Sequence, residues 1–418
     1  MSGEFEYADG ILTAADVPLD ALAEEFGTPL YVYSRQAIKE RIVEVISAFS
    51  SHPTRICYSV KANSNHHLLK WISDQQLGFD VVSGGELRRL LMAGIPVMQT
   101  VFAGVGKGDE ELQLALESDI WMITVESAGE AQRLSQIVQT SGRKSIQIGL
   151  RLNLDIDAYT HRYMTTGRKE DKFGIESEGL PEFVSWLSDH PELEPICLHM
   201  HLGSQITTVD PYVKGVVRLL EIRKVFQEAG FNIRWINAGG GFGISYTEEA
   251  VPAAAQYAAS ILPLLNGLDT GLILELGRYL VGSSGCLITR VLDSKRRNNR
   301  RLLIADSGMT DLMRPALYEA YHNILEVKKS DDPDTTLCDV AGPICESTDM
   351  LGWQRNLPDL KRDDLLAVMD TGAYGMTMAS NYNSRSRPAE VLITGKGEYE
   401  LIRRREPPED IWKSELDL

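Results

Sequence analysis

One lysine follows an apolar run near the beginning of the chain. The stretch from Ile56 to Val60 predicts a buried strand, and Lys61 comes directly after it, ahead of a polar Asn-Ser-Asn segment. Burial disfavours a charged ammonium, so a lysine in such a position can supply the neutral, nucleophilic amine that forms Schiff bases. A strand-end lysine that extends to the surface is the alternative, and this stretch alone does not decide between the two.

Other groups able to bind ligands or move protons follow several later apolar runs. They are Asp80, Arg151, His201, Ser204, the glycines 239–241, Glu275 and Arg278. Together they provide acids, an imidazole, guanidinium groups and small residues, although each alone is weak evidence. Polar groups at the carboxyl ends of parallel strands are typical of the active site of a (β/α)8 barrel.

Two glycine-containing stretches could be mistaken for nucleotide-binding loops. The stretch 239–243 lacks the GxGxxG spacing and follows the seventh apolar run instead of the first. In a barrel, loops after the late strands often bind phosphate through glycine N–H groups; a tight turn is the alternative. The stretch 104–109 contains Lys107 but lacks the Walker spacing, and it predicts a loop and a helix start.

A histidine pair and an acid lie on later apolar runs. His199 and His201 are two residues apart in a predicted strand, which would place them on one face. A metal pair, an imidazole stacked on a flat cofactor and a hydrogen-bonded core histidine all stay open. Glu275 ends an apolar run, where a carboxylate is costly unless paired. Facing a pyridine nitrogen, it would keep that nitrogen protonated and make the ring an electron sink.

The last third of the chain adds a second group of candidates. Arg314 and Tyr318 are four residues apart and share one side of a helix predicted over 314–323. Arginine suits bidentate binding of carboxylates. Cys345 and Glu346 place a thiol beside a carboxylate, and the thiol is either a proton donor or a buried apolar side chain.

The composition limits the class of protein. The 418 residues carry a net charge of −17, and 43% are hydrophobic, which predicts a globular chain long enough for two domains and argues against nucleic acid or anionic membrane as a partner. Five cysteines without a CxxC motif favour free thiols. The acidic N-terminus lacks the apolar core of a signal peptide, and no apolar run reaches the ~18 residues of a membrane span. We therefore expect a cytoplasmic protein.

A regular alternation of strands and helices is predicted between residues 35 and 280. The predicted strands are 55–60, 79–82, 100–103, 120–125, 146–152, 196–202, 233–237 and 271–275, with helices such as 84–94, 108–117, 127–140, 212–229 and 249–265 between them. Eight strands separated by helices predict a closed (β/α)8 barrel. An open, doubly wound sheet is the alternative, because counting strands cannot prove closure.

The remaining residues predict a smaller β domain, made of 1–34 and 281–418. Its expected strands are 285–293, 301–305, 336–340, 364–369, 389–394 and 398–403, together with an N-terminal strand at Leu30 to Tyr33. The basic segment 294–301 is expected to be an exposed hairpin tip.

Several motifs distributed from about residue 20 to 405 resemble one enzyme family. They are YSVKAN, FDVVSGGEL, DKFGI, HMHLGSQI, AGGGFGISY, ELGR, GMTDLMRPALYEAYH, GPICES and GAYGMTMASNYNSRSRPAEVL. The set resembles the diaminopimelate decarboxylases, which belong to the fold-type III, alanine-racemase-like pyridoxal-phosphate enzymes. The last three motifs are more specific than those of the barrel, which ornithine and arginine decarboxylases share in looser form.

The resemblance implies a role for each matching position. Lys61 would carry pyridoxal 5'-phosphate covalently, His201 would stack on its ring, and Cys345 would protonate the carbanion left after decarboxylation. The other cofactor positions implied are Ser204, Gly240, Gly241, Glu275 at the pyridine nitrogen, Gly277, Arg278 and Tyr374. The substrate positions implied are Arg278, Arg314, Tyr318, Glu346 and Tyr374. Because the acid comes from the partner subunit in this family, the resemblance also implies a homodimer with shared active sites.

The implied reaction is the decarboxylation of meso-2,6-diaminopimelate to L-lysine and carbon dioxide. One position departs from the family pattern, since Leu276 stands where a proline is usual, and we expect only a small effect from losing its fixed φ angle. Two alternatives remain: a related decarboxylase for D-ornithine, D-lysine or a carrier-bound amino acid, and a non-catalytic homologue that binds the cofactor. The presence of both Lys61 and Cys345 argues against the second alternative.

Overall fold

The structure, a computed structural model, describes residues 4–158, 161, 164–247, 249–297, 300–330 and 334–416. The chain divides into two units. The barrel unit consists of Val43–Ile244 and Ala250–Tyr279, and the β unit consists of Met1–Ile42, Ser245–Glu249 and Leu280–Leu418.

Eight of the strands in the parallel sheet of the barrel unit form a closed ring. Each pairs with the next along the chain, and the eighth pairs with the first, so that Leu274 lies opposite Ile56. This closure confirms the barrel and excludes the open sheet. The strands are Thr54–Ser59, Gly78–Val81, Thr100–Phe102, Met122–Val125, Ile146–Asn153, Leu193–His199, Trp235–Asn237 and Gly271–Leu276.

Helices follow the barrel strands in the predicted order. After the first seven strands come His66–Asp74, Gly84–Met92, Asp109–Glu117, Ala128–Ser141, Leu180–Ser188, Asp210–Glu228 and Ala254–Leu265. Helix Arg35–Phe49 precedes the first strand, and Arg278–Val281 follows the eighth. Shorter pieces are the strand Ile175–Glu176 and the 3-10 turns Val60–Ala62 and Ser177–Gly179. No helix in the described parts of the chain combines the length and apolarity needed to cross a membrane.

Local sequence signals start these helices. The side chains of Asn65, Ser83 and Ser127 each accept a hydrogen bond from a backbone N–H in the first turn of the helix that follows. Such caps satisfy N–H groups that have no partner within the helix. The cap also fixes where each strand-to-helix loop ends, so the residues just before it stay at the carboxyl edge of the barrel.

The sixth barrel strand ends earlier than the sequence predicts. It stops at His199, so His201 lies beyond the sheet, and the prediction that both histidines share a strand face is wrong. The physical reason is tertiary: the Leu202 carbonyl accepts a hydrogen bond from the Thr166 N–H, and Gly203 bridges to Thr165. These loop partners replace the neighbouring strands, and the backbone leaves the ladder.

The β unit contains two sheets. A three-stranded antiparallel sheet consists of Phe5–Ala8, Ile11–Ala14 and Val17–Pro18. A nine-stranded sheet consists of Leu30–Ser34, Gly285–Arg297, Arg300–Ala305, Ile324–Glu326, Thr336–Ala341, Met350–Leu357, Leu365–Val368, Ala389–Gly395 and Glu398–Arg403. The helices of this unit are Leu19–Phe26, Arg314–Tyr318 and Pro408–Leu416, and its 3-10 turns are Gly282–Ser284, Met376–Met378 and Tyr382–Ser384.

The N-terminal strand Leu30–Ser34 lies inside the larger sheet, between Gly285–Arg297 and Ala389–Gly395. Its side chains alternate between two hydrophobic cores: Tyr31 and Tyr33 pack into one, Leu30 and Val32 into the other. A strand buried on both faces reads as a continuous apolar run, which is why the sequence shows it clearly. This confirms that the N-terminal strand belongs to the β fold.

Two features of the β unit can be compared with predictions made from the sequence. The predicted helix 314–323 is wrong in length: it ends at Tyr318, because Glu319 adopts a left-handed conformation with φ of 53°. The strands on either side of the basic segment pair antiparallel, as a hairpin requires, with Arg297 opposite Arg300. The two residues at its tip lie outside the described part of the chain.

Candidate active site

Lys61 lies in the 3-10 turn after the first barrel strand, and its ammonium is paired with an acid. Its Nζ is 2.6 Å from Oδ2 of Asp80, which is near the end of the second strand and fully buried. Burial raises the pKa of Asp80, while the charge of Lys61 acts in the opposite direction. The Lys61 side chain is 32% exposed, so the expectation of a buried amine is wrong. A buried carboxylate beneath the amine, and not an apolar enclosure, defines its surroundings.

Ser59 and Gly277 place Lys61 beside the turn at the end of the eighth strand. Ser59 Oγ is 2.8 Å from Oδ2 of Asp80 and 3.1 Å from the Glu275 carbonyl oxygen. A Cβ on Gly277 would come within 2.8 Å of the Ala62 methyl group, too close for any other residue. The turn that carries Lys61 therefore packs directly against the 275–278 turn, through Ala62 and Gly277.

Glu275 is a buried carboxylate that stays charged. Oε2 lies 3.2 Å from Nε2 of His199, and Oε1 accepts a hydrogen bond of 2.6 Å from the Asn237 amide. Burial alone would raise the pKa of Glu275, but His199, Lys61 and Asn237 together lower it to about 2. An anionic acceptor is thus available at the mouth of the barrel across the whole physiological pH range.

His201 is a neutral ring beside the glycine-rich loop. Its Nδ1 accepts a hydrogen bond of 3.1 Å from the Gly240 N–H, which leaves the proton of a neutral imidazole on Nε2. Burial, followed by the charges of Arg151 and Lys61, holds the pKa of His201 well below its usual value. A neutral, oriented ring can stack on a flat group, but it cannot serve as a fixed cation.

The glycine-rich loop is packed so closely that side chains are excluded. A Cβ on Gly240 would overlap the Glu275 carbonyl oxygen, and one on Gly241, whose φ is 97°, would overlap the Gly203 carbonyl oxygen. The Tyr212 hydroxyl donates a hydrogen bond of 2.8 Å to the Gly240 carbonyl and fixes the loop further. The loop is therefore a rigid backbone surface, and its close packing is compatible with both a phosphate-binding loop and a tight turn.

Ser204 and Arg278 complete this part of the barrel. Nη2 of Arg278 donates a hydrogen bond of 3.0 Å to Oγ of Ser204, the residue that follows Gly203 and so adjoins the glycine loop. A hydroxyl, a guanidinium and closely approachable backbone are the groups with which proteins bind phosphate.

Two residues of this site were not found from the sequence. Asn237 and Ser59 occupy the last positions of the seventh and first strands, where they orient Glu275 and Asp80. Their positions could have identified them. A polar residue at the carboxyl end of a barrel strand lies at the edge of the barrel where active sites are found.

Arg314 and Tyr318 are the first two candidates in the β unit. Arg314 and Tyr318 begin and end one short helix. Arg314 is buried, its Nη1 lies 2.7 Å from Nε2 of His322, and its guanidinium lies 4.5 Å from the centre of the Tyr246 ring. The sequence patterns did not identify either His322 or Tyr246 as a candidate functional residue.

Cys345 and Glu346 are exposed in the β unit. The other four cysteines are buried and all five are free, so the interpretation of Cys345 as apolar filling is wrong. The Cys345 N–H donates a hydrogen bond of 2.9 Å to Oδ1 of Asn383, which joins the GPICES motif to the SNYNSR segment. The carboxylate of Asp349 accepts hydrogen bonds from the N–H groups of Met309 and Ile344 and fixes the base of the Cys345 loop.

Tyr374 occupies an unusual backbone conformation. Its φ is 55°, in the left-handed region that a bulky side chain rarely adopts. Strain of about 1–3 kcal/mol at such a residue persists only where surrounding structure enforces it, and it is often found at functional sites.

Comparison with known proteins places the chain among decarboxylases. Residues 35–282 match the family model described as "Pyridoxal-dependent decarboxylase, pyridoxal binding domain". The chain is 41% identical to the diaminopimelate decarboxylase of Haemophilus influenzae over 99% of both chains, and 42% identical to that of Neisseria meningitidis serogroup B over 97% of both. The chain belongs to the diaminopimelate decarboxylase family. It is a pyridoxal-phosphate-dependent decarboxylase.

Solved structures of the family agree with the fold. The diaminopimelate decarboxylase of Helicobacter pylori in complex with L-lysine has a TM-score of 0.91 and 38% identity, covering 96% of this chain and 99% of its own. The enzyme of M. jannaschii in complex with L-lysine has a TM-score of 0.93 and 32% identity, covering 99% and 98%. The barrel followed by a β domain is thus the family architecture.

The residues of the barrel unit fit pyridoxal phosphate. Lys61 offers an amine that is partly accessible, the Ser204, Arg278 and glycine-loop groups suit a phosphate, and Glu275 offers a charged acceptor for a protonated ring nitrogen. The fit depends on the chain's own geometry: removing any of the close approaches at Gly240, Gly241 or Gly277 would displace one of these groups.

Proposed function

We propose that this chain decarboxylates meso-2,6-diaminopimelate to L-lysine and carbon dioxide, the last step of lysine biosynthesis. The observation that carries the chemical part of the proposal is the pairing of the Lys61 amine with Asp80 beside a Glu275 carboxylate that stays ionised. The choice of substrate is supported by relatives of about 40% identity over nearly the full chain that are named diaminopimelate decarboxylases.

The cofactor-binding part of the proposal assigns one task to each barrel residue. Lys61 carries pyridoxal phosphate through its amine, and His201 lies against the ring. Ser204, Gly240, Gly241, Gly277 and Arg278 hold the cofactor from the loops, with the phosphate among them, and Tyr374 of the β unit is assigned as a further contact. When bound, the cofactor supplies an electron sink for the bond that breaks between Cα and the carboxylate.

Three residues of the barrel unit, Glu275, Asp80 and His201, are assigned to proton transfer and to the control of charge. Glu275, whose pKa is lowered to about 2 despite its burial, holds a proton on the pyridine nitrogen by remaining an anion next to it. Asp80 is within 2.6 Å of the Lys61 amine and can accept a proton from it or return one. His201, kept neutral, covers the ring without adding a positive charge that would compete with the ring nitrogen for Glu275.

The substrate has an amino-acid group at each end, so one end must be recognised while the other reacts. We assign Arg278, Arg314, Tyr318, Glu346 and Tyr374 to substrate binding, because guanidinium groups suit carboxylates and Glu346 suits the amine. Cys345 is assigned as the acid that protonates the product carbanion, which its exposure permits. A cytoplasmic homodimer with active sites at the interface is part of the same proposal and is supported by the family resemblance.

The decisive experiment measures carbon dioxide release by the purified chain, with and without added pyridoxal phosphate. We expect release from meso-diaminopimelate that depends on the cofactor, and rates at least about a hundredfold lower with D-ornithine, D-lysine and L-arginine, because their distal ends leave charged protein groups unpaired. Preference for one of the other amino acids would overturn the substrate assignment. No release from any of them, with the cofactor bound, would overturn the enzymatic proposal.

A further inference from the structure

Arg314 is oriented by two aromatic rings of the β unit. Its Nη1 lies 2.7 Å from Nε2 of His322, and its guanidinium carbon lies 4.5 Å from the centre of the Tyr246 ring. The two rings contact each other edge to face, with centres 5.2 Å apart. Arg314 is 2% exposed and His322 is 0% exposed, so neither side chain can reorient freely in solvent.

The hydrogen bonds of His322 define its protonation state. Arginine only donates, so Nε2 of His322 must accept the bond from Arg314. Nδ1 lies 2.7 Å from the Met369 carbonyl oxygen, which only accepts, so Nδ1 must carry the proton. Only the neutral tautomer with hydrogen on Nδ1 makes both bonds, because a proton on Nε2 would face the N–H of Arg314.

A neutral acceptor has a consequence that a carboxylate would not have. A carboxylate at the place of His322 would fix the guanidinium of Arg314 but also neutralise it, whereas a neutral imidazole fixes its direction and adds no negative charge. The face of the Tyr246 ring likewise favours the cation without cancelling it.

The backbone after the short helix turns so that His322 lies next to Arg314. The helix that begins at Arg314 ends after Tyr318, and the left-handed residue Glu319 turns the chain so that His322 returns to the arginine. The following residue then fixes the loop to the sheet, since the Asn323 carbonyl accepts a hydrogen bond of 2.8 Å from the Met369 N–H. The same neighbouring residue, Met369, therefore holds both the loop backbone and the imidazole.

We propose that His322 is a positioning residue, which aims the charged guanidinium of Arg314 at the carboxylate on the non-reacting end of the substrate. The inference rests on the proposed function, because it takes Arg314 as a substrate-binding residue. It adds that substrate affinity depends on the acceptor nitrogen of His322, which does not itself touch the substrate.

The test compares two ligands that differ in that carboxylate. L-Lysine carries it and cadaverine lacks it, and both are titrated calorimetrically and as competitive inhibitors into the cofactor-loaded enzyme. In His322→Leu we expect L-lysine to bind about tenfold or more weakly and cadaverine within about twofold of wild type, since only L-lysine has the carboxylate that the oriented guanidinium binds. His322→Gln, whose amide oxygen can accept from Arg314, should recover most of the affinity for L-lysine.

A matched control and a double mutant separate positioning from folding. Tyr321→Leu removes the neighbouring ring, which stacks on Arg355 instead, and it should leave the affinity for both ligands within about twofold. Adding His322→Leu to Arg314→Lys should cost little further affinity for L-lysine, because both changes remove one interaction.

Three results would overturn the inference: unchanged affinity for L-lysine in His322→Leu, equal weakening of both ligands, or full additivity with Arg314→Lys. Failure of the proposed function is recognised separately, because wild-type enzyme would then release no carbon dioxide from meso-diaminopimelate.

Discussion

Two lysine–carboxylate pairs in the barrel unit look alike in sequence and differ in their surroundings. Lys61 follows the first strand and lies 2.6 Å from Asp80, whereas Lys107 follows the third strand and lies 2.8 Å from Glu130. The Lys61 side chain is 32% exposed above a fully buried acid; the Lys107 side chain is 0% exposed and also donates to the Gly104 carbonyl.

Burial alone does not mark a reactive lysine. The amine of Lys107 is enclosed by its acid, a backbone carbonyl and the ring of Phe102, so no ligand can reach it. The Lys61 side chain is also paired with an acid, but 32% of it is exposed. Access combined with a proton acceptor is what chemistry at a lysine requires, and the fully enclosed pair serves the fold instead.

The strongest test of the comparison removes the reactive amine. We expect Lys61→Ala to abolish both the absorbance specific to the lysine-bound cofactor and all carbon dioxide release, because no other described amine occupies its place. Absorbance spectra and turnover assays measure this. Full activity in the variant would show that the amine has been wrongly assigned.

The second test removes the enclosed amine. Lys107→Met should lower the free energy of unfolding by about 3–5 kcal/mol, since it leaves the buried carboxylate of Glu130 without a charged partner. Activity per folded molecule should stay within about twofold of wild type. Urea denaturation gives the first quantity, and Lys107→Met with Glu130→Gln should recover part of the loss. Loss of cofactor absorbance at unchanged stability would contradict the structural role of Lys107.

The third test compares the two acids. Asp80→Asn keeps the shape of the side chain but removes the proton acceptor next to Lys61, and we expect kcat to fall about tenfold to a hundredfold while the cofactor stays bound. Glu130→Gln is the matched control and should leave kcat within about twofold. Steady-state kinetics on both variants decides the point, and equal effects on kcat would remove the distinction between the pairs.

The smallest expected effect is a change in stability with pH, caused by Glu86. Burial is the main cause that raises the pKa of Glu86 from 4.5 to about 7, and the charges of Lys61 and Asp80 also act on it. Because the folded protein then keeps a proton that the unfolded chain loses, stability should fall as pH rises from about 4.5 to about 7 and level off above. Melting temperatures of wild type and Glu86→Gln should show this slope in wild type only. Parallel curves would argue against the raised pKa.

Much of the barrel could be predicted because its signals are local. Each strand is a short apolar run, and capping residues such as Ser83 and Ser127 start the next helix, so periodicity and capping act within a few residues. The glycines were also readable, since close packing at Gly240 and Gly241 admits no other side chain. Where the signal was not local, prediction failed: the helix at Arg314 ends early, at the left-handed Glu319, and His322 beyond it bonds to the distant Met369 carbonyl.

The sequence by itself determined the order of strands and helices, the two-part organisation of the chain and the kinds of group at the strand ends, because side-chain periodicity and residue chemistry are properties of short segments. Only the tertiary structure decided which lysine stays accessible, which acid each one meets, and that a neutral histidine aims Arg314. Those properties depend on distances between residues on different strands: Lys61 meets Asp80 only where the first two strands pair, and Glu275 meets His199 only where the sixth, seventh and eighth strands pair.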